Sequence, residues 1–168
     1  MGSIPTGPTK KLVDWNLSPL GEVLRICAEQ EFALAGRQQL KVGLRVDDLD
    51  ASCALYRDIG FRQIPHDDQP NLRYLTFGLT WLILSSRLTH PYHNSEREKV
   101  ALEGPLGSGF VLAIPTTDLE RMYRLWRDRG LTITLEPRDV FWARIFYGLD
   151  PDGYEVMFEQ HHERPPRS

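Results

Sequence analysis

The spacing of hydrophobic positions changes along the chain from a strand period to a helix period. Residues 41–46 alternate small or polar side chains with apolar ones, which is typical of a strand with one buried face. Leu49, Cys53 and Tyr56 then share one face of a helix. Gly60 fits the left-handed conformation in which helices commonly end. This stretch therefore predicts a strand followed by a helix.

The same pattern recurs at a constant offset of 70 residues. Residues 111–114 predict the second strand, Leu119, Met122, Tyr123 and Trp126 form the second helical face, and Gly130 ends that helix. The helix caps are predicted at Asp47 or Asp48, and at Thr117 or Asp118. The residues repeated at this offset are Asp48-Leu49 and Asp118-Leu119, Leu55 and Leu125, Arg57-Asp58 and Arg127-Asp128, Gly60 and Gly130, and Gly78-Leu79 and Gly148-Leu149. So many matches in one register indicate an internal duplication.

Three further strands are predicted after each helix. They span residues 63–65, 73–77 and 81–86 in the first copy and 132–136, 144–147 and 155–160 in the second. Asp150-Pro151-Asp152-Gly153 is a turn by composition, because proline restricts one dihedral and glycine admits positive φ. Two βαβββ modules in succession predict an α+β fold.

The regions outside the two modules differ from them in composition. An N-terminal extension is expected to have a disordered start and then a helix, which Ser18-Pro19 would open. The connection between the modules is polar and rich in proline and glycine. The predicted boundaries are 1–39 for the extension with its helix at about 19–35, about 40–86 for the first module, 87–108 for the linker, about 109–160 for the second module, and 161–168 for a polar tail.

Composition narrows the class of protein. The chain has 168 residues, 41% of them hydrophobic and 26% charged, as in an average globular domain. A net charge of −3 argues against nucleic acid as a partner. No apolar run approaches the roughly 20 residues that span a bilayer, and residues 1–11 lack the apolar core of a signal peptide. We therefore expect a cytoplasmic protein with reduced thiols at Cys27 and Cys53.

Several segments resemble the vicinal oxygen chelate family, which includes glyoxalases and bleomycin-resistance proteins. Residues 42–52 (VGLRVDDLDAS) and 56–61 (YRDIGF) resemble its opening strand and helix. The segments that resemble its closing hairpin are Pro137-Arg138-Asp139, Trp142, Phe146-Tyr147 and Asp150-Pro151-Asp152-Gly153. The resemblance covers about residues 40–160.

This resemblance implies that each module curls its sheet into half a barrel. Two halves would then enclose a cavity, either within one chain or across a dimer. Family enzymes hold a divalent metal there through His, Glu or Gln side chains on the first and last strands of the modules. Two neighbouring oxygens of a substrate can chelate such a metal, which stabilises an enolate or activates dioxygen.

The expected ligand positions of that family carry unsuitable residues in this sequence. They fall on Lys41, Val111 and Met157, and residues 81–86 contain no ligand type in any register. A protonated ammonium cannot bind a metal ion. Only a slip of two residues would bring Glu155 or Glu159 into a ligand position. We therefore expect no metal and no cofactor.

Strand alternation predicts which side chains share a face of a strand, and the resemblance implies which of those faces line the cavity. Lys41 and Arg45 share one face of the first strand, and Glu155, Met157 and Glu159 share one face of the last. The candidate ligand-binding residues are Lys41, Arg45, Val111, Trp142, Met157 and Glu159. The five histidines lie in predicted loops or the tail, where solvated surface is the default; His66 or His93 is the alternative as a general base.

Two functional hypotheses from different classes follow. The first is a metal-free protein that sequesters a small, partly aromatic molecule, as bleomycin-resistance proteins do, and that forms a homodimer. The second is a metal-independent lyase, isomerase or cyclase of natural-product or degradative metabolism. In the second, Glu155 or Glu159 would act as general base, and Lys41 or Arg45 would stabilise an oxyanion. A metal-dependent glyoxalase or dioxygenase is a distant third.

Overall fold

The computed structural model describes residues 39–65 and 70–162. The predicted N-terminal helix at about 19–35, His66 and most of the predicted polar tail lie outside these residues. No helix in the described part of the chain is long and apolar enough to cross a bilayer.

The described chain contains two βαβββ modules joined by a segment with its own helix. The strands are β1 (Lys41–Val46), β2 (Arg62–Ile64), β3 (Leu72–Phe77), β4 (Thr80–Ser86), β5 (Val111–Pro115), β6 (Ile133–Asp139), β7 (Ala143–Leu149) and β8 (Glu155–His161). The helices are α1 (Leu49–Asp58), α2 (Ser95–Glu103) and α3 (Leu119–Asp128). This order confirms the predicted α+β fold.

Each module forms a four-stranded mixed sheet with the same topology. The strand order is β1-β4-β3-β2 in the first sheet and β5-β8-β7-β6 in the second. In both, the strand before the helix pairs in parallel with the last strand of the module, and the other pairs are antiparallel. Arg45 lies opposite Ser85 in the first sheet, and Pro115 lies opposite Glu159 in the second.

Capping by aspartate and glycine defines the two repeated helices. The Asp48 carboxylate accepts from the amides of Asp50 and Ala51, and that of Asp118 accepts from the Arg121 amide. Gly60 and Gly130 follow the helix ends with φ of 112° and 66°. The left-handed region disfavours other residues, so glycine stops both helices at matching points.

Two local features differ from the elements that the sequence predicts. Strand β6 runs on to Asp139 through Pro137, because β6 is an edge strand and proline needs no amide partner there. The linker between the modules contains helix α2, which Asn94 caps by accepting from the Arg97 amide. The sequence of helix α2 has no strong apolar face, and the helix buries none of its residues.

One hydrophobic core extends through both modules. The alternate residues Leu44 and Val46 of β1 are buried, and Lys41, Gly43 and Arg45 face the other side of the sheet. The aromatic centre of the second module is Trp126 with Phe146 and Phe158, whose rings stack 4.8 Å apart. Helices α1 and α3 thus each pack on the strands of their own module.

A buried carboxylate in the turn before β8 connects the second module to the first. Asp150 is 4% exposed and accepts from the Tyr56 hydroxyl at 2.8 Å. It also accepts from the amides of Asp152 and Tyr154. Asp152 in turn accepts from the Ser52 hydroxyl and the Asp47 amide. These bonds hold the turn against helix α1.

Burial makes this turn sensitive to pH. Desolvation raises the pKa of the Asp150 carboxyl above its usual 3.8, although the bonds from Tyr56 and from backbone amides oppose the shift. Desolvation raises the pKa of Asp152 as well. A raised pKa means that the folded state binds more protons than the unfolded state just above pH 3.8. Ionisation of each carboxyl therefore lowers the stability of the folded state as the pH rises above 3.8 and through the raised pKa.

We predict that Gly148→Ala destabilises the protein by about 1–3 kcal/mol, the usual cost of overpacking a core. A Cβ atom at this position would press on Trp126 Nε1 and lie 2.8 Å from the Thr132 carbonyl oxygen. Gly43→Ala is the matched control in another strand, since its Cβ would contact only Arg45 Nη1 at 3.5 Å. Urea unfolding compares the two; equal losses would contradict the packing argument.

We also predict that the stability of Asp150→Asn relative to the parent rises as the pH increases from about 4 towards neutrality. The amide oxygen can still accept from the two backbone amides, but the side chain no longer ionises. Free energies of unfolding measured across this pH range test the prediction. Asp150→Ala should lose about 1–3 kcal/mol through unsatisfied buried donors. A constant difference between parent and Asp150→Asn would show that Asp150 has an ordinary pKa.

Candidate functional site

A cavity of about 490 Å³ lies between the open face of β1 and helix α2. Gly43 and Arg45 form its floor, and Arg97, Val100 and Ala101 of α2 form its roof. The walls include His90, Tyr92, His93, Leu106, Phe110 and Tyr154. We call this space the α2 cavity.

The roof of the α2 cavity is one side of a helix that is mostly exposed. Arg97, Val100 and Ala101 are spaced as neighbours on one side of a helix. Yet Val100 keeps 60% of its surface exposed, and no residue of α2 is buried. Because α2 buries none of its residues, the space between this helix and the sheet leaves room for another molecule.

Arg45 organises the floor of the cavity. Its guanidinium donates to the Ser85 hydroxyl and to His90 Nε2, each at 2.8 Å. Its backbone also holds Tyr154, whose hydroxyl accepts from the Arg45 amide and donates to the Arg45 carbonyl oxygen. Arg45 thus links the linker and the second module to the first sheet.

The bond from Arg45 sets the protonation state of His90. A guanidinium can only donate, so Nε2 of His90 must accept and the ring proton lies on Nδ1. Burial, the Arg45 charge and His93 all lower the pKa of His90, which favours the same neutral ring. His90 Nδ1 is buried without a hydrogen-bond partner among the described residues. The His90 ring also packs edge-on against Tyr92.

Of the residues predicted from the sequence to bind a ligand, the structure places Arg45 in the α2 cavity. Lys41 lies further along β1, with its ammonium 6.0 Å from the centre of the Trp81 ring. Val111 and Met157 lie on the open face of the second sheet. Trp142 is half-exposed in the turn between β6 and β7. None of these four lines the α2 cavity.

The two predicted acid–base glutamates lie apart from the predicted cations. Glu155 accepts from the Thr134 hydroxyl at 2.8 Å, and Glu159 lies 3.5 Å from His161 Nε2. Among the described residues, no hydrogen bond or ion pair joins either glutamate to Lys41 or Arg45.

The metal site implied by the resemblance does not fit the residues present. Lys41, Val111 and Met157 occupy the expected ligand positions. Glu155 and Glu159 are four residues apart on one strand, about 13 Å at the usual rise, so they cannot share an ion. Within residues 39–65 and 70–162, no three His, Cys, Asp or Glu side chains are grouped to hold a metal.

Sequence reasoning missed the linker's contribution to the α2 cavity. The sequence predicts a solvated position for His90 and a polar linker around Arg97, yet both line the cavity, as does His93, the alternative general base. The run His90-Pro91-Tyr92-His93 was the available signal, because it places two histidines and an aromatic ring within four residues of the linker. The helical spacing of Arg97, Val100 and Ala101 was a second one.

Comparison with solved structures identifies the same fold in several proteins. TioX from Micromonospora sp. ML1 is 20% identical with a TM-score of 0.55, and the match covers 74% of this chain and 99% of TioX. TnmS3, an antibiotic binding protein from Streptomyces sp. CB03234, is 18% identical with a TM-score of 0.53, covering 74% and 96%. A glyoxalase/bleomycin resistance protein/dioxygenase family enzyme from Burkholderia phytofirmans PsJN is 18% identical with a TM-score of 0.60, covering 73% and 97%.

No curated protein matches the chain. The family model of the Glyoxalase/Bleomycin resistance protein/Dioxygenase superfamily matches residues 38–158, which include both modules and the linker. With this match and the duplicated βαβββ topology, the chain belongs to the glyoxalase/bleomycin resistance protein/dioxygenase superfamily.

Proposed function

We propose that this protein captures a small, partly aromatic molecule in the α2 cavity and holds it without chemical change and without a metal ion. The observation that carries the proposal is the unpacked roof, a helix that faces the sheet across about 490 Å³ of space. That volume is within the usual range of small-molecule pockets, about 300–1,000 Å³. Apolar and polar groups both line it, as binding a drug-like molecule requires.

The aromatic walls of the cavity support a partly aromatic ligand. Phe110 meets Tyr154 edge-on with ring centres 6.1 Å apart. The Tyr154 and Tyr92 hydroxyls are engaged with backbone groups, Tyr92 donating to the Arg87 carbonyl oxygen. Rings held in this way offer apolar faces at little further cost in conformational entropy.

Capture without turnover is consistent with a role described for a protein of the same fold. TnmS3 is described as an antibiotic binding protein. Sequestration needs a shaped cavity and a few polar anchors, and the α2 cavity supplies both. The acid–base alternative needs a glutamate and a cation at one substrate, and within one chain Glu155 and Glu159 bind neither Lys41 nor Arg45.

The open face of the second sheet is a second candidate location for a ligand. Val111 is 44% exposed there, and Trp142 and Phe141 in the neighbouring turn are 52% and 99% exposed. A second copy of the chain would cover these apolar groups, so we propose a homodimer. Lys41, Met157 and Glu159 would then be candidates for a site completed by two subunits.

We predict that Gly43→Val abolishes binding of an uncharged aromatic probe, N-phenyl-1-naphthylamine, followed by its fluorescence. A side chain at residue 43 would project from the floor into the α2 cavity, and its Cβ would contact only Arg45 Nη1 at 3.5 Å. Valine suits a strand, so the fold should persist, which circular dichroism checks.

Ala113→Val is the matched control, because Ala113 occupies the same repeat position in the second module and lies on its open face. Normal binding by Ala113→Val with none by Gly43→Val supports the α2 cavity. The reverse result would place the ligand on the second sheet. Binding that survives both substitutions would refute both locations.

We expect far less than one equivalent of divalent metal per chain after purification, measured by elemental analysis, because Lys41, Val111 and Met157 replace the usual ligands. Probe binding should also be unchanged by a chelator. One full equivalent of zinc, iron, manganese or nickel in the protein would overturn the metal-free proposal.

A further inference from the structure

The arginines of the described chain separate into those paired with an acid and those that are not. Three arginines are half-buried, namely Arg45, Arg73 and Arg87. Arg73 binds Asp50 at 2.9 Å, and Arg87 binds Asp47 at 2.8 Å. Arg45 alone of these three has no carboxylate, since its guanidinium bonds only to the Ser85 hydroxyl and to His90.

A half-buried guanidinium without a counter-charge is costly, because part of its hydration is lost and no opposite charge replaces it. The neutral partners of Arg45 use two donor contacts of a group that has five N–H donors. Donors therefore remain on Arg45, which lines the α2 cavity. A carboxylate or a similar anion matches such a group in both charge and geometry.

Arg97 brings a second positive charge to the same cavity from above. Its guanidinium has no hydrogen bond or ion pair with any described residue; only its backbone amide is bonded, to Asn94. It also lies in the first turn of α2, where the helix dipole disfavours a cation and favours an anion. An anion beneath the roof would relieve both the unpaired charge and this unfavourable position.

Acidic side chains are absent from the described lining of the cavity. Glu96 and Glu98 flank Arg97 in the first turn of α2 but do not line the cavity. Among the other nearby acids, Asp47 pairs with Arg87, Asp152 accepts from Ser52, and Glu103 lies 3.9 Å from Lys99. Nothing in the described cavity lining therefore neutralises Arg45 and Arg97 or would repel an anion.

We infer that the molecule held in the α2 cavity is an organic acid, with an anionic group such as a carboxylate or phenolate between Arg45 and Arg97 and an apolar or aromatic body against Phe110 and Tyr154. This inference rests on the proposed small-molecule binding and adds the charge of the ligand. His90 accepts from the Arg45 guanidinium as a neutral partner, so it does not compensate the positive charge that the anion would meet.

Two fluorescent probes that differ by one charged group test the inference. 8-Anilinonaphthalene-1-sulfonate carries an anionic sulfonate, and N-phenyl-1-naphthylamine has the same ring system without it. We expect the intact protein to bind the sulfonate roughly tenfold to a hundredfold more tightly, the range for charge-assisted hydrogen bonds. Titration of each probe in low-salt buffer measures the ratio.

Arg45→Gln and Arg97→Gln should each reduce that preference, taken as the ratio of the two probe affinities within one variant, by roughly tenfold or more. Arg124→Gln is the matched control, because Arg124 is an exposed arginine on α3 away from the cavity. If Arg45→Gln fails to fold, Arg97→Gln still tests the inference, because Arg97 is exposed on α2 and its substitution leaves the core intact.

Each outcome bears on one of the two proposals. Equal affinity for the two probes overturns the anion inference and leaves capture in the cavity standing. A sulfonate preference that persists in both glutamine variants also overturns it, because the charge is then bound elsewhere. Displacement by inorganic phosphate as strongly as by benzoate would show that charge alone is recognised, against an organic acid. If neither probe binds, the proposed function itself fails.

Discussion

The hydrogen bond from Tyr56 to Asp150 is the contact on which the arrangement of this molecule depends. It places a carboxylate of the second module under the helix of the first, at 2.8 Å and almost without solvent. Asp150 also accepts from the Tyr154 amide. The Tyr154 hydroxyl in turn accepts from the Arg45 amide and donates to the Arg45 carbonyl oxygen. The position of Arg45 in the α2 cavity thus depends on a turn more than a hundred residues further along the chain.

The duplication produced two sheets of one topology, but their open faces differ. A helix of the linker roofs the open face of the first sheet at Gly43 and Arg45. The equivalent face of the second sheet has Val111, Ala113 and Met157 and no helix of the described chain above it. The two modules can therefore have different roles, because the linker between them covers the open face of the first sheet only.

Much of the fold followed from local patterns. The period-2 alternation at residues 41–46, the aspartate caps and Gly60 and Gly130 predicted β1, α1 and the repeat, since these features act within a few residues. The site was harder to predict from the sequence. Arg45 was predicted as a cavity residue from strand alternation together with the family resemblance, but its partners His90 and Ser85 are about 40 residues away, and no local pattern links them.

By itself, the sequence determined the duplicated βαβββ order and the faces of the first and last strands. These depend on periodicity, on turn chemistry and on residue type, all of which are local. Only the tertiary structure decided that α2 lies over the first sheet with none of its residues buried, and that Arg45 and Arg97 share a cavity whose described lining contains no acid. Which charges remain unpaired is settled by distances between segments far apart in the chain, and those distances exist only after folding.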